Sequence, residues 1–332
     1  MCAFCDQHKI TGSSDIPHCD DVKRICSQAL SQIDDPEKTE IAFFGGSFTA
    51  VPRDYMLELL EAASGFIGDG KFKGIRISTR PDYIDEQVLD ILKQYGVTSI
   101  ELGAQSLCDE VLSANERGHS EQDVIDACRL INQYGFELGL QMMVGLYKSS
   151  IDRELYTAQR ITELAPKTVR IYPVVVLEGT KLAELYRSGV YELLPFNTVV
   201  ELCAVMLKKF YCAGINVIKL GLHASELVEK NIVAGYYHPA FNELVQSTIF
   251  FDGIKSSIKD QKEITLFVNS RSLSVAAGHK KSNMKKLEEA GVKCIICTDD
   301  SLSRQEIKIN GEIINVFKIT GNSGIQVVSG QD

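Results

Sequence analysis

Ile41-Ala42-Phe43-Phe44-Gly45-Gly46-Ser47-Phe48-Thr49 is the stretch that decides the fold. A short apolar run, Ile41 to Phe44, has the character of a strand and ends directly in two glycines. An amphipathic helix pattern follows from Tyr55 to Phe66, introduced by Pro52 and Asp54. Strand, glycine turn and helix in this order form the repeating unit of a parallel sheet. The same cadence recurs downstream. Strands are expected over Ile75 to Ser78, Ser99 to Leu102, Leu138 to Val144 and Val169 to Val176. Helices are expected over Ile84 to Gln94, Ser120 to Tyr134 and Ile151 to Leu164, with Gly96, Gly135 and Pro166 where helices should stop. The expected class is α/β, with a parallel sheet and helices outside it. Chemistry in such folds sits at the carboxyl ends of the strands.

Further along, a helix is expected over Asn197 to Tyr211, a strand-like piece over Asn216 to Leu222, and loop plus helix over Ala234 to Ser247. From Gln261 the pattern changes to strand (Ile264 to Val268), helix (Lys280 to Ala290), strand (Lys293 to Cys297) and a hairpin around Asn310-Gly311. The expected division is therefore a core over 1–258, a small α+β domain over 259–320 and a polar tail over 321–332.

Composition narrows the class. The chain has 332 residues, 45% of them apolar, and no run of 18 apolar residues, so no membrane helix is expected. No charged-then-apolar leader opens the sequence, so no signal peptide is expected. Ten irregularly spaced cysteines suit a reducing cytoplasm better than a disulfide scaffold. The 35 basic and 44 acidic residues argue against a basic face spread over the whole molecule.

Several residues stand where a site would form. Cys2 and Cys5 make a C-x2-C pair that can share a metal or cluster. Gly45 and Gly46 let backbone approach a ligand. In Ser78-Thr79-Arg80-Pro81-Asp82 the proline extends the chain at Arg80, whose guanidinium can fork onto a carboxylate. Alternation sends Glu101, Gly103 and Gln105 to one face, where two polar groups need partners, from a ligand or from each other. Arg117 is a second carboxylate fork, whereas His119 reads as a structural loop histidine. Cys294 and Cys297 lie three apart in a strand and so point to opposite faces, as core thiols do.

The order of these motifs resembles the radical S-adenosylmethionine (SAM) superfamily, most closely the branch containing the Elongator catalytic subunit. The resemblance is carried by Cys2-x-Phe4-Cys5, Gly45-Gly46-Ser47-Phe48-Thr49, Ser78-Thr79-Arg80-Pro81-Asp82, Glu101-Leu102-Gly103-Ala104-Gln105-Ser106 and Asn115-Glu116-Arg117-Gly118-His119-Ser120. Val169 to Thr180, Gly221-Leu222-His223 and Ile232 to Phe241 extend it. It implies a partial (β/α)6 barrel lacking its first strand, a 4Fe–4S cluster, SAM, and a 5′-deoxyadenosyl radical acting on an unknown substrate, with RNA as the candidate and a protein as electron donor. It implies that Cys2 and Cys5 are cluster ligands. Phe4, Gly45, Gly46, Ser47, Thr79, Arg80, Gln105 and Arg117 are then cofactor-binding residues. The sequence departs from the pattern in three places. The first cluster cysteine would stand four residues before Cys2, Val144 and Tyr147 replace prolines, and no acetyltransferase pattern follows residue 258. The rival expectation is a catalytically inactive remnant that binds a nucleotide or a protein partner.

Overall fold

A computed structural model of the chain describes residues 2–5, 16–222 and 226–319. The expected tail over 321–332 and His223 lie outside the described residues. The chain divides into two compact units, Met1–Glu192 with Ala224–Gly235, and Leu193–His223 with Tyr236–Asp332.

The first unit is the expected α/β partial barrel. Its strands β1 (Glu40–Phe43), β2 (Gly74–Thr79), β3 (Val97–Gln105), β4 (Glu137–Val144) and β5 (Thr168–Pro173) pair in parallel and in chain order. Helices Arg53–Ser64, Glu86–Gln94, Glu121–Gln133 and Ile151–Leu164 return the chain between strands. Their starts are local chemistry. Asp85 accepts a hydrogen bond from the Val88 amide at 2.7 Å, Ser120 and Asp123 form a capping box, and Ser150 accepts from the Arg153 amide. The run Val169 to Val176, expected as one strand, is two pieces. After β5 the chain turns at Val174, and Val175–Leu177 pairs antiparallel with Ile232–Gly235. Helix Cys19–Leu30 was not expected from the sequence. It buries Val22 and Cys26 and is tied to Arg53–Ser64 by the Cys19 amide on Glu58 (3.1 Å) and the Tyr55 hydroxyl on the Pro17 carbonyl (2.6 Å).

Period-2 alternation sorts the strands. Ile75, Ile77, Ile100, Leu102, Leu140, Val169 and Ile171 are buried against the helices. The alternate positions carry charge. Glu101, 1% exposed, accepts Arg170 on both oxygens (2.6 and 3.0 Å), Gln141 at 3.0 Å and Arg76 at 3.4 Å. Arg76 also reaches Glu40 (2.8 Å) and Glu137 (2.7 Å), and Glu40 accepts from Ser99 and Thr98. Gly139 is small for a reason: a Cβ there would stand 2.8 Å from Glu101 Cγ and 2.8 Å from Thr168 Oγ1. The inner face is therefore an ion-pair network, and Glu101 has its partners within the protein.

The second unit packs helices Phe196–Cys212 and Phe241–Ser257 and carries a four-stranded sheet in the order Lys293–Thr298, Glu263–Val268, Glu306–Ile309, Glu312–Asn315. The helix expected to end near Ser247 continues to Ser257. The hairpin turn is Asn310-Gly311, both at positive φ. We propose that this sheet with its helices is the small domain placed over 259–320, and that 1–258 is the core, although the compact units are cut elsewhere.

The inner network yields a stability prediction. Glu101→Ala leaves two cations on the inner face without their shared carboxylate. It should cost about 3–5 kcal/mol or abolish folding, read as the urea midpoint, while Glu101→Ala combined with Arg170→Met should cost less than the sum of the single changes.

Candidate functional site

The carboxyl ends of β2 and β3 and the loop 115–119 converge on the cysteine pair. Arg117, 5% exposed, donates through Nη1 to the Cys2 sulfur at 3.0 Å and through Nη2 to the Gly103 carbonyl at 2.6 Å. Its guanidinium stands 5.8 Å from the centre of the Phe4 ring. Burial disfavours the Arg117 cation and pulls its pKa down, while the Cys2 sulfur opposes that shift. Gln105 lies beside it at the end of β3, at φ 65°, next to a register shift in the β3–β4 pairing. A Cβ on Gly103 would stand 3.0 Å from Gln105 Nε2, 3.5 Å from Arg117 Nη2 and 3.6 Å from the Thr79 carbonyl, so the three groups gather around this glycine and only Gln105 would be crowded by a side chain there.

The cysteine loop is held through both main-chain groups of one residue. The Ala3 amide donates to the Asn115 carbonyl (3.1 Å), and the Ala3 carbonyl accepts from the Leu182 amide (2.8 Å). The Cys5 amide closes a turn on the Cys2 carbonyl at 3.2 Å. Asn115 itself is buried, and its side chain donates to the Val111 and Tyr147 carbonyls. This clamp was not legible in the sequence, because it is made by main-chain groups.

The other expected residues fall nearby with uneven roles. Thr79 Oγ1 is 2.6 Å from Thr49 Oγ1, and Thr49 also donates to the Tyr83 carbonyl. Arg80 does fork onto a carboxylate, but the carboxylate is Asp82 (2.9 and 2.7 Å), and its guanidinium lies 5.6 Å from the Tyr83 ring centre. Gly45 takes φ 112°, which only glycine adopts without strain, and Gly46 has nothing within 4 Å of where a Cβ would stand. Ser47 follows at the start of the Phe48–Ala50 turn, and Phe48 stacks on Phe43 at 4.8 Å.

Two buried titratable groups of the first unit have shifted pKa values. His119 is buried, with Nε2 3.2 Å from the Ala104 carbonyl; burial first and the Arg117 cation second push its pKa down to about 4. A carbonyl only accepts, so Nε2 carries the proton and the ring is neutral at pH 7. Glu154 was missed from sequence. It is fully buried, accepts from the Gly145 amide at 2.7 Å, and desolvation raises its pKa to about 7. An acid four residues before Ala158, on the buried stripe of helix Ile151–Leu164, was the available signal.

Fit to a cofactor can be tested on orphaned atoms. Gln105 Oε1 and Arg117 Nε are buried without a hydrogen-bond partner, an acceptor and a donor that suit a polar nucleoside ligand. For a metal cluster the match is partial. Cys2 and Cys5 bring two thiols, and among the described residues no group of three or more His, Cys, Asp or Glu could hold a metal ion. Cys294 and Cys297 lie in the second unit on a strand, and burial pushes the Cys294 thiol up to about 11.

A family model described as the Radical SAM superfamily matches residues 1–159, and one described as the Radical_SAM C-terminal domain matches residues 166–250. The chain belongs to the radical SAM superfamily. Members of that superfamily work with a 4Fe–4S cluster and SAM. The chain is 31% identical over 191 residues to Elongator complex protein 3 of Saccharomyces cerevisiae, covering 52% of this chain and 34% of that protein. It is 28% identical over 186 residues to tRNA uridine(34) acetyltransferase of Methanocaldococcus infernus, covering 50% and 35%. The chain thus spans about a third of the length of these curated relatives. The fold matches that of Methanocaldococcus infernus Elp3 carrying an N-terminal deletion, with TM-score 0.61 and 24% identity over 72% of this chain and 59% of that one. No helix among the described residues is long and apolar enough to cross a membrane.

The two buried groups predict opposite pH responses. Between about pH 4 and the ordinary histidine value of 6.5 the unfolded chain binds the extra proton at His119, so its contribution to stability rises with pH across that window. Glu154 keeps its proton to higher pH when folded, so its contribution falls between the ordinary carboxylate value of 4.5 and about 7. Unfolding titrations of His119→Gln should lose the rising limb, worth about 3 kcal/mol at most, and those of Glu154→Gln should lose the falling one.

Proposed function

We propose that this radical SAM protein is an enzyme that holds SAM and a 4Fe–4S cluster at the carboxyl ends of its strands and acts on RNA. The observation that carries the reading is Arg117, which joins Cys2, Gly103 and the Phe4 ring in one buried spot. When bound, the cluster supplies the electron that cleaves SAM to methionine and a 5′-deoxyadenosyl radical able to abstract hydrogen from a substrate.

The chain's own residues would bind and orient. Cys2 and Cys5 would be two cluster ligands. Arg117, a cation at any working pH, would face the SAM carboxylate. Gln105 would offer its orphaned Oε1 to a ribose hydroxyl, and Phe4 would lie along the adenine. Gly45, Gly46 and Ser47 would meet the amino group. The fold gives no packing reason for glycine at 46, which supports close approach of a ligand there. Thr79 and Arg80 would line the mouth, with Arg80 anchored by Asp82. RNA as substrate rests on the archaeal relative's printed name; the acetyl transfer in that name is not carried over. A protein electron donor and a cytoplasmic setting complete the proposal.

A second reading is favoured by the two-thiol donor set: a chain that binds a nucleotide or partner without a cluster. Anaerobic iron–sulfide reconstitution separates them, run on this chain and on a version carrying a cysteine four residues ahead of Cys2. The enzyme reading expects about four irons per chain and release of 5′-deoxyadenosine in at least the second version, both lost in Cys2→Ser and Cys5→Ser. If neither version holds iron while SAM still binds, the second reading replaces the first.

A further inference from the structure

The second unit holds a charge asymmetry that the SAM site does not use. Between Ile264 and Leu287 there are five Lys or Arg residues and no Asp or Glu, in a chain of net charge −9. The segment covers strand Glu263–Val268 after its first residue, helix Leu273–Ala277 and helix Ser282–Glu289 up to Leu287, with Glu263, Glu288 and Glu289 just outside it. Gly278-His279-Lys280-Lys281 joins the helices. Gly278, Lys280 and Lys281 all stand at positive φ (82°, 53° and 61°). A lysine disfavours the left-handed region, so two of them there must be held by their surroundings.

The holding groups are visible. Buried Asn283 donates to the Ser247, Val275 and Ala276 carbonyls (2.9, 3.3 and 3.2 Å). A Cβ on Gly278 would stand 2.5 Å from Ser282 Oγ and 2.6 Å from the Asn283 amide, so this position must be glycine. The loop is thus preorganised, and it presents Lys280 and Lys281 to solvent, with Lys285 exposed one turn on. None of the three lysines has an ion-pair partner among the described residues.

An open cavity of about 370 Å³ lies beside the loop. His279 meets His238 edge-on at 5.4 Å, and His238 lines that cavity. Asn216, Asn242, Gln246, Gln305 and the Tyr211 ring line it too. Amide side chains read base edges, an aromatic ring offers a stacking face, and the volume is that of a small-ligand pocket.

We propose that the Gly278–Lys281 loop and this cavity form a binding site for single-stranded RNA, the lysines taking backbone phosphates and the cavity one base. A four-residue loop with glycine at both ends is a known clamp for a single-stranded backbone; this loop has glycine at its first position and Lys281 at its fourth. Lys281 takes the left-handed turn that a glycine would otherwise supply and adds a charge there. The site deepens the RNA part of the function proposed above and is independent of cluster loading.

The test is fluorescence anisotropy of a labelled single-stranded oligoribonucleotide against the full chain without cluster, across a salt series. Lys280→Glu with Lys281→Glu should weaken binding about tenfold or more and reduce the slope of log K against log salt by about 1.4. Asn242→Ala should weaken binding with the slope unchanged. Lys281→Gly should raise the melting temperature by a few degrees, because glycine tolerates that backbone, and still weaken RNA binding. A merely structural loop predicts the first effect without the second. Wild-type-like binding by the lysine variants overturns the site while leaving RNA as a partner. No RNA binding by the wild-type chain overturns both, and SAM cleavage by the reconstituted chain then judges the radical reading separately.

Discussion

The carboxylate of Glu101 is the constraint on which the first unit depends. It lies on the central strand, almost without solvent, and three strands send it donors: Arg76 from β2, Gln141 from β4 and Arg170 from β5. A buried charge is tolerable only when paired and hydrogen-bonded. The pairing therefore fixes more than energy. It requires those strands at one register and curvature, and it requires glycine at 139 to make room. Replacing such a cluster by apolar side chains of the same volume need not lose stability, whereas removing one member leaves its partners buried and unpaired.

From that frame the upper ends of the strands are positioned to cooperate. β3 leaves its ladder at Gln105 in a left-handed turn, which brings Gln105 toward Arg117 and leaves its Oε1 without an internal partner. Arg117 then bridges the strand end and the cysteine loop. Few residues separate the structural network from the candidate site: Glu101 is satisfied by the protein, and Gln105, two alternations on, is not. That contrast is what makes Gln105, and not Glu101, a candidate for binding a ligand.

Much of the fold was legible. The strand–turn–helix cadence and the Asn310-Gly311 hairpin follow from local rules that do not need the rest of the chain. Helix Cys19–Leu30 escaped because its mean character is polar and only Val22 and Cys26 are buried. The Val169 to Val176 run was read as one strand because its apolar pattern is continuous; the break at Val174 comes from a new partner, Ile232–Gly235, some sixty residues on. The acid-free, lysine-bearing stretch from Ile264 to Leu287 was present in the sequence, but its meaning depends on a loop conformation that sequence does not reveal.

For the candidate site, the sequence by itself determined the residue types and their order: the C-x2-C pair, the glycines after β1, Thr79-Arg80 after β2, Gln105 after β3 and Arg117 in the next loop. Motif order is set by chain connectivity, and in a parallel sheet successive strand ends come out on one side. Tertiary structure alone decided who is paired with whom. Arg80 is engaged by Asp82, Arg117 by Cys2 and Gly103, Glu101 by two arginines, and Ala3 by two main-chain groups far apart in sequence. Those outcomes depend on distances of a few ångströms between segments tens of residues apart, and on which buried polar group finds a partner first, neither of which is encoded in local periodicity.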